Sequence, residues 1–157
     1  MKVLFLDFDG VLNSHKYFSE RDNHQPRYAM FDERNEFDPD AMHNLLAILD
    51  HFPDLKVVIS SSWRYGRTIE KLNELLGFTK VYTDRVIGKT ADQSERGYAR
   101  GWEIQDWLDA HPEVTNFAIL DDDSDMVHLS DHHVKTSFSV GLTAENVAQV
   151  IKILEAK

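Results

Sequence analysis

The sequence predicts a three-layer α/β fold, a parallel sheet with helices on both faces, and three observations carry that prediction. Short apolar runs of strand length alternate with helix-length segments of 3.6-residue periodicity along the chain. The runs Val3–Leu6 and Asn116–Leu120 lack polar alternation, as strands covered on both faces do. The 157 residues, 42% of them apolar, match one domain with a real core, so a single domain over 1–157 is expected.

The elements follow in order. Val3–Leu6 is the first strand, and Asp7 and Asp9 follow it two residues apart. Strand alternation has period two, so both carboxylates can face one pocket where the strand becomes a loop. Gly10 stands where the backbone must turn and where a ligand can come close. Ser14 to Phe37 fits no core element, carrying Tyr17, Phe18, Tyr28 and Phe31 among Arg21, Arg27 and Arg34. A long connection beside a candidate site is commonly functional, so residues 14–37 are read as a small flap. Asp38 can cap a helix with Pro39 in its first turn, and Met42, Leu45, Leu46 and Leu49 give it one apolar face.

A second strand is expected at Lys56–Ser60, then a helix over Thr68–Leu76 stopped by Gly77, and a further strand near Lys80–Tyr82. Ile87 to Arg100 reads as a polar loop carrying Lys89, Arg96 and Arg100. Gly101–Ala110 reads as a helix ending before Pro112. Strands at Asn116–Leu120 and Val134–Thr136 follow, and Thr143 opens a last helix with Val147, Val150, Ile151 and Leu154 on its apolar face. The interval from Gly10 to Val57 leaves no room for a large cap domain, because the Asp38–His51 helix takes much of it. Trp63, Trp102 and Trp107 are expected in the core or the pocket wall, and the scattered histidines show no metal-ligand spacing.

Composition limits the function. A formal charge of −10 argues against sequence-independent clamping of duplex DNA, which needs a Lys/Arg surface. The absence of cysteine excludes disulfides and thiolate metal sites. The opening apolar run is too short for a signal peptide or a membrane span, so a cytoplasmic protein without membrane contact is expected.

Three groups of residues lie at strand ends, where open α/β sheets bind ligands. Asp7 and Asp9 form the first. Ser60, Ser61, Ser62, Trp63 and Arg64 follow the second strand and offer hydroxyls and backbone N–H groups. Asp121, Asp122, Asp123 and Asp125 crowd the end of the Asn116–Leu120 strand. Gathering these carboxylates calls for a cation, since two unit charges repel by about 4 kcal/mol at 4 Å and an effective dielectric of ~20. An oxygen-only donor set fits Mg²⁺. Lys89 and Arg100 are candidates for neutralising a phosphate.

Taken in order, D-F-D-G-V-L-N, V-V-I-S, a Lys or Arg, and I-L-D-D-D-S-D resemble the haloacid dehalogenase (HAD) superfamily of phosphohydrolases, over Val3 to about Asp125. S-S-S-W-R and R-G-W-E-I further resemble the HAD domains of RNA-repair proteins. A response-regulator receiver also clusters Asp residues, but here the D-x-D comes first and the acidic run last. The resemblance implies a Rossmann-like, HAD-like sheet and phosphomonoester hydrolysis through an aspartyl-phosphate on Asp7, with Asp9 as general acid and base. It implies Mg²⁺ on Asp7, the Asp9 carbonyl and Asp122, with Asp121 and Asp125 completing or orienting the shell. Ser60 would bind phosphoryl oxygens, Lys89 or Arg100 would stabilise nucleophile and phosphate, and Gly10, Ser61 and Arg64 would contact substrate. Gly88-Lys89-Thr90 most resembles the setting of the HAD lysine. The substrate would be a phosphorylated nucleic-acid end, or else a sugar phosphate or nucleotide. A HAD-like binding module without catalysis is the alternative.

Overall fold

Five parallel strands form one sheet in the order β3-β2-β1-β4-β5, with β1 Lys2–Leu6, β2 Lys56–Ile59, β3 Val86–Lys89, β4 Asn116–Asp121 and β5 His133–Lys135. The structure is a computed structural model and describes residues 1–24, 32–78, 82–93 and 97–156. Helices α1 His15–His24, α2 Pro39–His51, α3 Ile69–Leu75, α4 Arg100–Asp109 and α5 Ala144–Glu155 complete the architecture.

Alternation along the central strands fills both layers. Leu4, Leu6, Val57, Ile59, Ala118 and Leu120 pack with Leu45 and Leu49 of α2, Leu72 of α3 and Val150 and Leu154 of α5. Val3, Phe5, Val58 and Ile119 face the other way, onto Ile104 of α4, Met126 and Leu129. A strand apolar on both faces therefore satisfies two cores, as the first and fourth strands require. The helix starts follow their sequence signals: the side chains of Asp38, Thr68 and Thr143 accept backbone N–H groups of the first turns. Thr143 and Asn146 form a reciprocal capping box. Gly77 closes the α3 turn at φ +71°, a conformation other residues avoid.

Two expectations need correction. Val86–Lys89 is a strand, not the start of a polar loop. Among the described residues it is an edge strand paired on one side only, so Ile87 and Lys89 remain exposed and the apolar signal is weak. Gly88 within it lies against Trp107, whose Nε1 would be 3.2 Å from an added Cβ. The strand expected near Lys80–Tyr82 falls mostly outside the described residues, and Tyr82 lies outside any strand. Within residues 14–37, His15–His24 is helical and Glu33–Glu36 forms a 3-10 turn, whereas Arg27, Tyr28 and Phe31 lie outside the described residues, as does Arg96. Trp107 packs edge-on against Phe5 as a core residue, but Trp102 is 41% exposed. Among the described residues, no helix is long and apolar enough to cross a membrane.

Because all five strands run the same way, their carboxyl ends share one edge. That edge carries Asp7, Ser60, Thr90, Asp121 and Thr136.

Candidate active site

Asp7 leaves β1 with its N–H still donating to the Leu120 carbonyl at 3.0 Å, so its side chain is fixed by the sheet. Its Oδ1 accepts the Phe8 N–H at 2.7 Å, and the Ser61 hydroxyl also bonds to its carboxylate. Asp121 ends the neighbouring strand, fully buried, with Oδ1 accepting the Asp123 N–H at 2.9 Å. Asp122 follows. Asp7, Asp121 and Asp122 each present a carboxylate oxygen, all within 4.8 Å of one another.

Among the described residues, one guanidinium faces this triad. Arg100 Nη1 lies 3.5 Å from Asp7 Oδ2 and 3.3 Å from Asp121 Oδ2, and donates to the Ser60 carbonyl at 2.6 Å. Its position follows from the start of α4. Ala99 provides no side-chain cap; instead Asp125 accepts the Arg100 N–H through Oδ2 at 2.9 Å and the Gly101 N–H through its carbonyl at 3.1 Å. Gly101 is required for the approach, since a Cβ there would stand 2.3 Å from the Met126 carbonyl oxygen.

Among the described residues three carboxylates face one cation, which leaves uncompensated charge. Burial, followed by the charge of Asp7, pushes Asp121 up to about 7. Burial also raises Asp7, with Arg100 acting in opposition, and burial and the neighbouring Asp7 raise Asp122. Burial works against the charge of Arg100, yet Asp7, Asp121 and Asp125 raise its pKa. Asp121 Oδ2 is buried without a hydrogen bond among the described residues; its 3.3 Å contact to Arg100 is an ion pair of poor hydrogen-bond geometry. An oxygen-only triad with one orphaned buried oxygen and carboxylates that resist ionisation fits a hard divalent cation such as Mg²⁺.

Gly10 makes room for the triad. It sits at φ +71°, and a Cβ would fall 2.3 Å from Asp122 Cγ. Asn13 and Thr136, to which no site role was given from the sequence, hold this turn: Asn13 Oδ1 accepts the Gly10 N–H at 3.0 Å and the Thr136 hydroxyl donates to the Gly10 carbonyl at 2.7 Å. Asn13 Nδ2 also donates to Asp9 Oδ1 at 2.8 Å, and the Trp63 indole N–H donates to Asp9 Oδ2 at 2.9 Å. Both Asp9 oxygens are thus oriented beside the triad. The Asn13 contact had a sequence signal, four residues after Asp9 in the same loop; the Trp63 contact had none.

Several expected site residues sit elsewhere. Asp125 caps α4 and is not part of the carboxylate triad. Lys89, whose sequence setting most resembles a phosphate-binding lysine, donates to the Arg64 and Arg67 carbonyls at 3.1 and 2.6 Å. Its strand-end position points the ammonium at the turn after β2, and Arg100 takes the place beside Asp7. Arg64, expected to contact substrate, is 2% exposed. It donates to the carbonyls of Ser60, Ser61, Thr90 and Ala91 and forms a 2.8 Å ion pair with Glu103. Ser60 is fully buried and its hydroxyl has no partner among the described residues, so Ser61 supplies the hydroxyl next to Asp7.

No curated protein and no solved structure gives a match to the chain. The model of one family, described as the HAD domain in Swiss Army Knife RNA repair proteins, matches residues 3–147. With that match over nearly the whole length and a parallel sheet that gathers the acidic motifs at its carboxyl edge, the chain belongs to this HAD family.

Proposed function

We propose that the chain is a Mg²⁺-dependent phosphomonoester hydrolase acting on phosphorylated RNA ends through an aspartyl-phosphate on Asp7. The observation that supports this most is the convergence of Asp7, Asp121 and Asp122 on one point with the Arg100 guanidinium against two of them. The family's description as a domain of RNA-repair proteins supports the substrate class.

A carboxylate oxygen of Asp7 attacks phosphorus, and the bond from phosphorus to the leaving oxygen breaks as Asp9 gives that oxygen its proton. Asp9, now ionised, takes a proton from water, which attacks the phosphorus, releases phosphate and frees Asp7. Arg100 offsets the negative charge as nucleophile and phosphate approach. Asp7, Asp121 and Asp122 would hold Mg²⁺, with the Asp9 carbonyl as a further donor; bound there, the ion neutralises phosphoryl oxygens and the triad. Ser61 and the backbone N–H groups after β2 would bind the remaining phosphoryl oxygens.

Turnover of phosphorylated RNA and DNA ends, nucleotides, sugar phosphates and p-nitrophenyl phosphate, with Mg²⁺ and after chelation, tests the reading. Mg²⁺-dependent turnover that disappears in a folded Asp7→Asn protein is expected. Failure to hydrolyse any of these would leave a binding module in place of an enzyme.

A further inference from the structure

Trp63, whose indole N–H bonds Asp9, lines an open cavity of about 270 Å³ together with Glu33, Ser62 and Arg67. We infer that this cavity receives the leaving alcohol of the substrate and selects a ribonucleoside there, an inference that rests on the hydrolase reading. In that reading Asp9 protonates the leaving oxygen, so the leaving group departs on the Asp9 side, and Trp63, which holds Asp9, lines the cavity.

Arg67 Nη2 and Glu33 Oε1 are paired at 2.8 Å, so among the described residues the lining carries one charge of each sign. A phosphate seated in the cavity would be repelled by Glu33, whereas an uncharged ribose would not. A carboxylate only accepts, and Oε2 takes no part in the Arg67 bond, so Glu33 suits a ribose hydroxyl. Ser62 adds an exposed hydroxyl, and half-buried Trp63, whose ring lies under the Arg67 guanidinium at 5.5 Å, adds an aromatic wall. The volume falls just below that of small-ligand pockets, and the wide mouth suits one nucleoside whose remaining strand lies in solvent.

The walls of the cavity are preorganised. Arg67 Nη1 donates to the Trp63 carbonyl at 2.9 Å, and Lys89 ties the Arg64 and Arg67 carbonyls to the end of β3. Both cations thus hold the walls, and the cavity exists before a ligand arrives.

The test compares kcat/KM for a ribonucleoside monophosphate, its 2′-deoxy counterpart, an oligoribonucleotide ending in the same phosphorylated nucleotide, and p-nitrophenyl phosphate. The parent protein is expected to prefer ribo over deoxy, and Glu33→Gln to cut that preference about tenfold, the worth of one hydrogen bond to a charged group. Glu33 is 36% exposed in its side chain, so the variant should fold, which its melting temperature checks. Turnover of the free nucleotide alone, or of the strand end as well, identifies the source of the ribonucleoside and supports the inference in either case. Turnover of p-nitrophenyl phosphate without a ribo preference, or with one that Glu33→Gln leaves intact, overturns the inference while the hydrolase reading stands. No turnover of any substrate overturns the hydrolase reading itself.

Discussion

Replacing Arg64 with Ala should unfold this protein sooner without first weakening substrate binding. Arg64 makes four bonds to carbonyl oxygens and one to Glu103, spanning the turns after β2 and β3 and the first part of α4. Its side chain and that of Glu103 are 2% and 5% exposed, so solvent cannot replace the lost donor. Breaking a buried pair by removing one partner costs about 3–5 kcal/mol, because the other charge stays buried alone. At roughly 2–4 °C per kcal/mol for a domain of this size, the melting temperature should fall by about 6–20 °C. Arg64→Lys should recover little, since a point charge cannot reach five acceptors laid out for a planar fork. Arg64→Met with Glu103→Met should recover more, because no lone charge remains. Thermal melts by circular dichroism, set beside KM measured well below the transition, decide the matter. A melting temperature within about 2 °C of the parent together with a raised KM would refute the reasoning and return Arg64 to the substrate.

Arg100→Ala should lower kcat by about 10²–10³, the usual cost of one transition-state charge contact, whereas Lys89→Ala should change kcat by less than about threefold and lower the melting temperature; steady-state kinetics that reverse the order would move the phosphate-binding cation to Lys89. Gly10→Ala adds an αL strain of about 1–2 kcal/mol and drives a Cβ into Asp122, so a folded variant should lose the thermal shift that Mg²⁺ gives the parent, and an unchanged shift would remove Asp122 from the metal site. Asp121 titrates near 3.8 when unfolded and near 7 when folded, so the folded state binds more protons between those values and the metal-free protein should lose stability as pH rises from about 4 to about 7. The loss is on the order of 4 kcal/mol at most, and Asp121→Asn should abolish much of it; denaturant midpoints that stay flat over that range would contradict the charge crowding.

The sheet was readable because β1 and β4 are apolar on both faces and α2 and α5 carry full capping and periodicity signals. β3 was not, because an edge strand with a glycine and a lysine has little apolar surface to display. The acidic triad was legible for a similar reason: Asp7, Asp121 and Asp122 each follow a strand whose burial is evident from residues alone. The cations were not. Arg64, Lys89 and Arg100 all stand near strand ends or helix starts, and which one meets Asp7 depends on the Asp125 cap and the Gly101–Met126 approach, contacts between segments that no local pattern encodes. Trp63 escaped similarly, since an indole N–H near a carboxylate leaves no trace in spacing.

The central place of β1 also bears on how the chain is made. Its two sheet neighbours begin at Lys56 and Asn116, so the strand leaves the ribosome long before it can be paired on both edges. At ordinary elongation rates of about 5–20 residues per second, the wait for β4 is roughly 5–20 s. Through that time Val3–Leu6 is an apolar, β-prone segment open to other nascent chains. Lys2 before it and Asp7 and Asp9 after it are the charges that flank such segments and discourage their stacking. The Asp7 carboxylate that crowds the finished, metal-free site therefore protects the unfinished chain, and an Asp7→Asn protein should yield more inclusion bodies during expression even though the substitution relieves the crowding in its folded form.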